Sequence, residues 1–364
     1  MRCAIVLPVP VPYREPLLER LSRRGAIEPS VIYLAGAQPG WDMSADWFAA
    51  GASYRHELLE ARQRTRPGRT PLLLPRGLGA ALDRAGPEVV VSSEFGPATW
   101  RALAWCRRRR RPLVVLSELT PWSDAELSRL QRRIHRALAP RMDGFIVTSS
   151  QGRERLRGLG VDPARVEVGL QSADIDRLVA LERPEESSRP VRVLCVGRLV
   201  ADKNLDVLID AFAAAGFGEG EAELVLAGTG PLENALRRRA GAGVSLIGYV
   251  APADLPALYA GADALALVST YEPFGVTMRE GAAAGLPLLC TRRAGAAGDV
   301  AVEGENALLV DPEDRSEIAA ALGRLVREPA LRERLRRGSR AVTERHPVEA
   351  DAEAWERAVL RVAR

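Results

Sequence analysis

The stretch VRVLCVGRLVADKN, residues 191–204, decides the fold of this chain. Val191–Val196 is an apolar run of strand length, and it ends at Gly197, a residue type that lets the backbone approach a ligand closely. A helix is predicted from Asn204 to Ala214, because apolar residues recur there at helical spacing. A buried strand, a glycine turn and a helix form the repeating unit of a parallel sheet that helices cover on both faces.

The same alternation of apolar runs and amphipathic stretches occurs on both sides of this segment. Downstream, the predicted strands are Glu223–Ala227, Val244–Ile247, Ala264–Val268, Leu286–Cys290 and Ala307–Val310, and the predicted helices are Leu232–Arg239, Leu255–Ala260, Val276–Ala284 and Arg315–Arg327. Upstream, the predicted strands are Cys3–Leu7, Ser30–Leu34, Val89–Ser92, Leu113–Leu116 and Phe145–Thr148, and the predicted helices are Pro16–Arg24, Thr99–Arg109 and Asp124–Ala139. Continuous Val, Ile and Leu runs separated by helices are typical of a doubly wound α/β fold.

The length of the chain and one polar segment predict two domains. A chain of 364 residues suits two domains of about 150–200 residues each. The polar segment Glu182–Pro190 is the best linker candidate, giving an N-terminal domain over 1–180 and a C-terminal domain over 190–345. The amphipathic stretch 348–364 is expected to cross back and pack on the first domain. Because open α/β sheets bind ligands beyond the carboxyl ends of their strands, two Rossmann-like domains are expected to face each other across a cleft.

The composition excludes membrane-spanning and disulfide-rich classes of protein. The residues are 47% hydrophobic and 27% charged, and no apolar run reaches the length of about 18 residues that indicates a membrane span. The apolar run of Met1–Pro8 is too short for a signal peptide and is predicted as the first strand. The cysteines show no metal-ligand spacing, so buried reduced thiols in a cytoplasmic protein are expected at Cys3, Cys106, Cys195 and Cys290.

The charge pattern leaves one question open. The formal net charge of +4 does not indicate a protein that binds nucleic acid. Five arginines, Arg107–Arg111, precede the predicted strand Leu113–Leu116. One interpretation is a solvated helix end, and the other is a patch that contacts an acidic acceptor or the anionic lipid of a membrane surface.

The turn after Val191–Val196 predicts an anion-binding site. Arg198 and Lys203 place two cations beside the start of a helix, whose N–H groups already favour an anion, and this arrangement suits a diphosphate. Lys203 is the single lysine among 51 Lys and Arg residues, and a guanidinium does not replace an ammonium at every site. The alternative is an ordinary strand–turn–helix connection that Asp202 or Asn204 caps.

A second polar group follows the predicted strand Ala264–Val268. Glu272 lies in the loop, Pro273 and Gly275 shape a turn that exposes backbone N–H groups, and Glu280 lies about a turn and a half into the next helix. Carboxylates accept hydrogen bonds from the hydroxyl groups of a sugar and a ribose. The alternative is that Glu272 caps the helix and Glu280 is solvated. The small residues Gly281–Gly285 indicate either space for a bulky ligand or close packing of the helix.

Several motifs together resemble the carboxyl-terminal domain of glycosyltransferase family 4. They are Gly197-Arg198-Leu199 with Lys203-Asn204, the glycine turn Gly228-Thr229-Gly230-Pro231-Leu232, Gly248-Tyr249-Val250, Ala262-Asp263 and Glu272-x7-Glu280, in the family's order over roughly residues 191–325. The glycine turn alone is weak evidence, because many connections between strand and helix carry one. The resemblance implies a GT-B fold, a UDP- or GDP-sugar donor, retention of the anomeric configuration, and no required metal or cofactor.

The resemblance also implies roles for individual residues. Arg198 and Lys203 would bind the diphosphate and stabilise the leaving group, since preorganised cations lower the barrier to its departure. Glu272 would hold the donor sugar, and Glu280 would bind the ribose. The remaining donor contacts would come from Gly197, Gly228, Gly230, Phe274, Gly275 and Val276.

The first domain departs from the family pattern. Family members often carry a histidine after a first-domain strand, and none of the three histidines here fills that place; His135 is expected at the surface or in packing. Glu118 or Ser117 is the candidate replacement, with Trp122 as a platform for a sugar or an acceptor. A strand-end glutamate that caps the next helix is an equally compatible interpretation of Glu118.

Three further positions complete the candidate residues. Tyr13 lies in a proline-rich segment that replaces the family's glycine-rich first loop, and Glu94 follows the strand Val89–Ser92; both are acceptor-side candidates. Asp174-Ile175-Asp176 matches the metal-binding pattern of GT-A enzymes, but its place near the domain junction argues against a metal role.

The predicted function is that of a retaining, hexosyltransferase-like glycosyltransferase (EC 2.4), cytoplasmic or peripheral at a membrane, with a small-molecule, glycan or lipid-linked acceptor. The alternatives are a nucleotide-sugar-binding scaffold or inactive GT-B subunit, and a GT-B epimerase. A phosphorylase would need a lysine for pyridoxal phosphate, and the single lysine lies in the phosphate motif. The base, the sugar, the acceptor, the linkage and the oligomeric state stay open.

Overall fold

The computed structural model describes residues 1–36, 52–66, 69–179, 181 and 189–363, and the chain divides into two compact units. The first unit comprises Met1–Ala173 with Val348–Arg364, and the second comprises Asp174–Pro347. The first unit therefore ends before the expected domain limit at 180. Residues 182–188 of the predicted linker lie outside the described residues.

The first unit is built on a parallel sheet. Its strands are β1 (Arg2–Leu7), β2 (Glu28–Tyr33), β3 (Arg55–Leu58), β4 (Ala61–Arg66), β5 (Arg69–Pro75), β6 (Val89–Ser93), β7 (Leu113–Ser117), β8 (Gly144–Val147) and β9 (Val166–Val168). Its first helices are α1 (Glu15–Arg24), α2 (Leu78–Ala85), α3 (Pro97–Arg109), α4 (Arg129–Leu138) and α5 (Ser150–Gly158). Among the described residues, seven strands form one parallel sheet in the order β3-β2-β1-β6-β7-β8-β9, while β4 and β5 pair with each other in antiparallel fashion.

Both faces of this sheet are covered, as the side chains of β1 show. Ala4 and Val6 join an apolar cluster with Ala102 of α3, while Ile5 on the opposite face packs in a second cluster with Leu18 of α1. Successive side chains of a strand point to opposite faces, so a strand buried on both faces must be apolar throughout. The continuous apolar runs seen in the sequence follow from this arrangement.

The second unit repeats the plan. Its strands are β10 (Val191–Val196), β11 (Ala222–Ala227), β12 (Val244–Gly248), β13 (Ala264–Leu267), β14 (Leu288–Thr291) and β15 (Ala307–Val310). Its helices are α6 (Asp176–Val179), α7 (Leu205–Ala214), α8 (Glu233–Arg239), α9 (Leu255–Ala260), α10 (Val276–Ala283), α11 (Arg315–Arg327) and α12 (Pro329–Arg345). The described strands form one parallel sheet in the order β12-β11-β10-β13-β14-β15.

Each sheet contains a point at which its winding reverses. In the first unit β2 lies on one side of β1 and β6 on the other, and in the second unit β11 and β13 flank β10 in the same way. The chain leaves β1 towards β2 on one side and leaves β6 towards β7 on the other, and it leaves β10 and β13 in the same opposed way. These diverging connections leave a crevice at the carboxyl ends of the strands, where open α/β sheets bind ligands. The fold therefore marks the loops after β1, β6, β10 and β13 as the places to look for a site.

The C-terminal helix α13 (Val348–Val362) packs on the first unit, which confirms the predicted return of the chain. Trp355 and Val359 lie in the same apolar cluster as Ile5, and Arg24 of α1 forms an ion pair with Glu356 at 3.0 Å. The helix thus supplies part of the core of a unit whose other residues come from the first half of the chain.

Some predicted elements differ from the observed ones. The helix expected over Asp124–Ala139 begins at Arg129, because Pro121–Ala125 forms a separate 3₁₀ turn and Ser128 makes a capping box with Gln131. The sequence did not indicate β3, β4, β5, β9, α2, α5, α6 or α12. These elements are short or rich in arginine, so the apolar periodicity on which the predictions depended is weak in them.

The cysteines agree with the prediction of buried thiols. All four are free and buried, and burial raises the pKa of the Cys3 and Cys195 thiols to about 12. In the part of the chain that the structure describes, none of the helices is apolar over a length sufficient to cross a membrane.

Candidate active site

Two predicted site residues from separate loops meet at the reversal point of the second unit. Lys203, from the loop after β10, donates a hydrogen bond from Nζ to Oε2 of Glu272, from the loop after β13. The side chains are largely withdrawn from solvent, with exposed fractions of 19% for the lysine and 15% for the glutamate. Ser269 Oγ lies 3.4 Å from the same Oε2 atom. The ammonium and the carboxylate thus stand together beside the crevice between β10 and β13.

The two loops are tied together by backbone and amide hydrogen bonds. Thr270 N–H donates to the carbonyl of Asp202 at 2.9 Å. Asn204, at a left-handed φ of 56°, donates from Nδ2 to the carbonyls of Val268 at 3.2 Å and Pro312 at 2.7 Å. Asn204 occupies the N-cap position of α7, as the alternative interpretation held, but its side chain makes no capping hydrogen bond there. The residue instead joins the loops that carry Lys203 and Glu272.

The glycines of the predicted donor site fall into two groups. A Cβ atom at Gly228 would lie 1.9 Å from the carbonyl oxygen of Gly197, and one at Gly230 would lie 2.5 Å from that of Leu199, so both glycines are required where the two loops touch. A Cβ at Gly197 would instead make an ordinary contact of 3.6 Å with Cε of Lys203. Its φ of 158° is a conformation that residues with a side chain rarely adopt, so the backbone explains this glycine, and its role beside a ligand stays a prediction.

A small depression at this edge of the sheet is lined by Gly197, Arg198 and Lys203, with Leu226 and Leu267 among its apolar walls. Arg198 is exposed, in contrast to Lys203. The two predicted cations thus line one depression, one at the solvent side and one against Glu272.

The Glu272 loop rests on a segment that the sequence analysis missed. Gly295 N–H donates to the carbonyl of Glu272 at 3.1 Å, and Ala296 N–H donates to that of Phe274 at 2.8 Å. A Cβ at Gly295 would lie 2.1 Å from the carbonyl oxygen of Pro273, so only glycine fits there. The loop ends at Gly275, whose φ of 92° precedes the first turn of α10. The sequence signal that could have indicated this contact is the run of small residues 294–298 after β14.

Glu280 lies on α10 and has a partner that no sequence pattern indicated. Tyr259, from α9, donates a hydrogen bond from its hydroxyl to Oε2 of Glu280 at 2.6 Å. Burial raises the pKa of the Glu280 carboxyl, the tyrosine hydrogen bond lowers it, and the nearby charge of Asp174 adds to the rise. The glycine that follows is explained by packing, since a Cβ at Gly281 would lie 2.4 Å from Cδ2 of Leu265.

A second polar cluster lies at the reversal point of the first unit. Arg14 follows β1, Glu94 follows β6, and Glu118 follows β7. The buried Arg14 guanidinium forms an ion pair with Glu118. Glu94 accepts hydrogen bonds from the Glu118 N–H at 2.6 Å and from Ser117 Oγ at 3.0 Å. The predicted acceptor-side carboxylates are therefore joined, and Arg14 is a partner that the sequence analysis did not single out.

Glu94 has an unusual backbone conformation. Its φ of 58° lies in the left-handed region, which costs a residue other than glycine on the order of 1–3 kcal/mol. Burial raises the pKa of its carboxyl to about 7, against the hydrogen bond from the Glu118 N–H, which lowers it. A strained residue with a shifted pKa at the carboxyl end of a strand is a candidate functional group.

The other first-unit candidates, Tyr13, Trp122 and His135, are aromatic residues outside the hydrogen bonds of this cluster. The Arg14 guanidinium carbon lies 5.8 Å from the centre of the Tyr13 ring. Trp122 has an exposed fraction of 44%, so its ring offers a surface for a ligand. His135 is buried, with its ring stacked on Phe95 at 4.6 Å, and burial lowers its pKa to about 4. His135 is therefore a packing residue.

The two remaining sequence features are exposed. Arg107–Arg111 form the solvent-facing end of α3, where Arg110 adopts a left-handed φ of 53°. Asp176 is the first residue of α6, and Asp174 precedes the helix. Asp174 Oδ2 lies 4.0 Å from Nη1 of Arg177. Over the described ranges, no group of three or more His, Cys, Asp or Glu side chains is placed to hold a metal ion.

Two family models match the chain. The model described as a glycosyl transferase 4-like domain matches residues 10–169, and the model described as glycosyl transferases group 1 matches residues 180–342. Together they span most of the chain, and the second match contains both Lys203 and Glu272.

Named relatives match shorter parts. Mannosylfructose-phosphate synthase of Agrobacterium fabrum is 37% identical over 156 residues, which cover 39% of this chain and 33% of that protein. Glycogen synthase of Mycobacterium tuberculosis is 30% identical over 226 residues, which cover 60% of this chain and 54% of that protein. The chain thus spans about a third to a half of the length of these relatives.

Several solved structures match nearly the whole chain, and HepE of Anabaena is one of them. HepE of Anabaena, in complex with UDP and glucose, superposes with a TM-score of 0.76 at 18% sequence identity, and the match covers 97% of both chains. At this identity the likeness establishes the fold alone, which is the two-domain GT-B fold.

Proposed function

Because the chain belongs to the GT-B glycosyltransferases with family 4-like domains, we propose that it transfers a sugar from a nucleotide donor to an acceptor hydroxyl, with retention of the anomeric configuration and without a metal ion. The observation that carries the proposal is the meeting of Lys203 and Glu272 at the reversal point of the second sheet. One side chain suits a phosphate, and the other suits sugar hydroxyls.

The donor is bound by the second unit. Lys203 and the exposed Arg198 neutralise the diphosphate, with the first N–H groups of α7 and α10 near their loops. Glu272 accepts hydrogen bonds from the sugar, and Glu280 accepts them from the ribose. UDP- and GDP-sugars are the proposed donors, and the presence of UDP and glucose in the HepE structure favours UDP-glucose as the first to test.

The main contribution of the protein to the reaction is to stabilise the negative charge that forms on the leaving diphosphate. The bond between the anomeric carbon and the diphosphate oxygen breaks, and its electron pair stays on that oxygen. The acceptor hydroxyl oxygen bonds to the anomeric carbon on the same face, and its proton passes to the departing diphosphate. Lys203 and Arg198 stabilise this growing negative charge, and the loss of one such donor costs about a hundredfold in rate or more. The structure pairs the ammonium with Glu272, so the incoming phosphate takes over a cation that the protein already holds in place.

The acceptor is bound by the first unit. We assign it to the cluster of Glu118, Arg14 and Glu94, with Tyr13 and Trp122 as apolar surfaces. An acidic or lipid-linked acceptor would also bring the exposed Arg107–Arg111 into use, because clustered arginines attract anionic headgroups. The class of acceptor is otherwise left to experiment.

The test is a donor panel with the purified protein. Release of nucleoside diphosphate is measured with UDP-, GDP- and dTDP-sugars, with water and with mixed acceptors, in the presence and absence of EDTA. We expect hydrolysis or transfer with one donor class, unchanged by EDTA. A strict requirement for a divalent ion would overturn the metal-independent mechanism, and binding without turnover under every acceptor would favour a scaffold.

Two variants tie the activity to the site. Lys203→Ala is expected to lower the rate about a hundredfold or more through loss of a charged hydrogen-bond donor. The matched control is Arg337→Ala, which removes an exposed cation of α12 that lies 3.5 Å from Glu333. Equal rates in Lys203→Ala and the control would remove Lys203 from the site.

A further inference from the structure

We propose that Tyr259 positions the Glu280 carboxylate for the donor ribose and thereby sets the preference for ribonucleotides over deoxyribonucleotides. This inference rests on the proposed function, since it concerns the nucleotide of the donor. Tyr259 lies in α9, outside the motifs that indicated the site, and its hydroxyl contacts Glu280, so it would act on a ligand through that carboxylate.

The surrounding core holds the Tyr259 side chain in one position. Its side chain has an exposed fraction of 0%, so the surrounding core holds the ring in one position. Its hydroxyl donates to Oε2 of Glu280 at 2.6 Å, a short hydrogen bond of the kind that charged acceptors form. Glu280 is only partly buried, so the carboxylate joins a rigid interior group to the surface of the unit.

This bond fixes the direction of the carboxylate and opposes its protonation. A glutamate side chain at the surface rotates about three bonds, and anchoring Oε2 leaves Oε1 in a defined place. Burial and the charge of Asp174 both favour the protonated form of Glu280, whereas the Tyr259 hydroxyl favours the ionised one. An ionised carboxylate is an acceptor only, which is the state that two ribose hydroxyl donors need.

A purely structural role for Tyr259 predicts a different result. A buried tyrosine hydroxyl needs a partner, and Glu280 would supply one whether or not a nucleotide ever binds. Loss of the hydroxyl would then change stability but not discriminate between two ligands that differ only at the ribose. The comparison of such ligands separates the two roles.

The experiment measures binding of UDP and of its 2′,3′-dideoxy analogue to the wild type and to Tyr259→Phe; GDP and its analogue replace them if the donor panel selects guanine. We expect the wild type to bind the ribonucleotide about tenfold or more tightly than the analogue, because an unpaired carboxylate is costly to leave in the site. In Tyr259→Phe this ratio falls several-fold, through weaker binding of the ribonucleotide alone. In turnover the donor KM rises while kcat stays unchanged.

The matched control is Tyr54→Phe. Tyr54 is also buried, and its hydroxyl donates to a glutamate, Glu15, in the first unit. We expect Tyr54→Phe to keep the wild-type ratio. The double variant Tyr259→Phe with Glu280→Gln is expected to match Glu280→Gln alone, because both changes act on one contact.

Three results would overturn the inference, and they differ from a failure of the proposed function. An unchanged ratio in Tyr259→Phe, additive effects in the double variant, or a wild type that binds both nucleotides equally would each refute the role of Tyr259. A wild type that binds neither nucleotide would refute the proposed function itself. If Tyr259→Phe does not fold, as judged by its thermal melt, the ratio in Glu280→Gln tests the ribose contact, and an unchanged ratio there refutes the inference.

Discussion

At the scale of single residues, Lys203 is the position where charge type matters most. The chain uses arginine for all of its other basic side chains, so its ammonium at this place points to a requirement that a guanidinium does not meet. The ammonium is a compact charge that Glu272 holds in a largely buried position, and the planar guanidinium is larger and forms hydrogen bonds in fixed directions.

We therefore predict that Lys203→Arg does not restore activity. The variant keeps the formal charge but is expected to lower kcat/KM for the best nucleotide sugar about tenfold or more. The reason is that the N–H groups of a guanidinium would lie away from the position at which the ammonium contacts the phosphate. Steady-state kinetics against the donor check this. Wild-type kcat/KM in Lys203→Arg would show that charge alone is needed.

Glu94 gives a prediction about pH. Its folded pKa of about 7 lies above the unfolded value of 4.5, so the folded state holds a proton that the unfolded state releases between these values. This contribution to stability is complete below the unfolded pKa, is lost as the pH rises towards about 7, and changes no further above it.

We predict that Glu94→Gln removes this part of the pH dependence. Between pH 5 and pH 7.5 the wild type should lose about 2 kcal/mol more stability than the variant, since the amide resembles the protonated acid. Denaturant unfolding at several pH values measures the difference, with Glu126→Gln as a control at an exposed position. Parallel pH curves for wild type and Glu94→Gln would contradict the raised pKa.

At the scale of elements, the close contact between the loops after β10 and β11 positions Arg198. We predict that Gly230→Ala weakens nucleotide binding, because its Cβ would lie 2.5 Å from the carbonyl oxygen of Leu199 and displace the loop that carries Arg198. Overpacking of this kind typically costs about 1–3 kcal/mol. Thermal melting and UDP binding check the two effects.

Gly241→Ala is the matched control for this prediction. The same change there meets no atom within 4 Å, so both stability and binding should stay close to the wild type. Wild-type stability and binding in Gly230→Ala would show that the contact between the loops is adaptable and does not set the position of Arg198.

At the scale of the whole molecule, the first unit depends on the last helix. Trp355 of α13 has an exposed fraction of 2% within the core of that unit. We predict that Trp355→Ala destabilises the first unit by about 3–5 kcal/mol, the usual cost of removing a buried aromatic side chain. Trp100→Ala, at an exposed fraction of 43% on α3, should change stability by less than about 0.5 kcal/mol. Equal melting temperatures for the two variants would contradict this dependence.

The sequence predicted the architecture better than the contacts within it. Apolar runs mark strands buried on both faces, which made the parallel sheets predictable. A glycine with two cations after such a run indicates an anion site, and the structure brings Lys203 of that turn against Glu272. Tyr259, Arg14 and Gly295 act through partners distant in sequence, and no local pattern signals such contacts.

The central claim is that the second unit binds a nucleoside diphosphate at Lys203. The most direct measurement is a crystal structure of the protein soaked with UDP or GDP. We predict phosphate oxygens at hydrogen-bonding distance, about 2.7–3.2 Å, from Lys203 Nζ, with the ammonium shifted away from Glu272. A nucleotide whose phosphates lie elsewhere, with the Lys203–Glu272 pair intact, would contradict the claim.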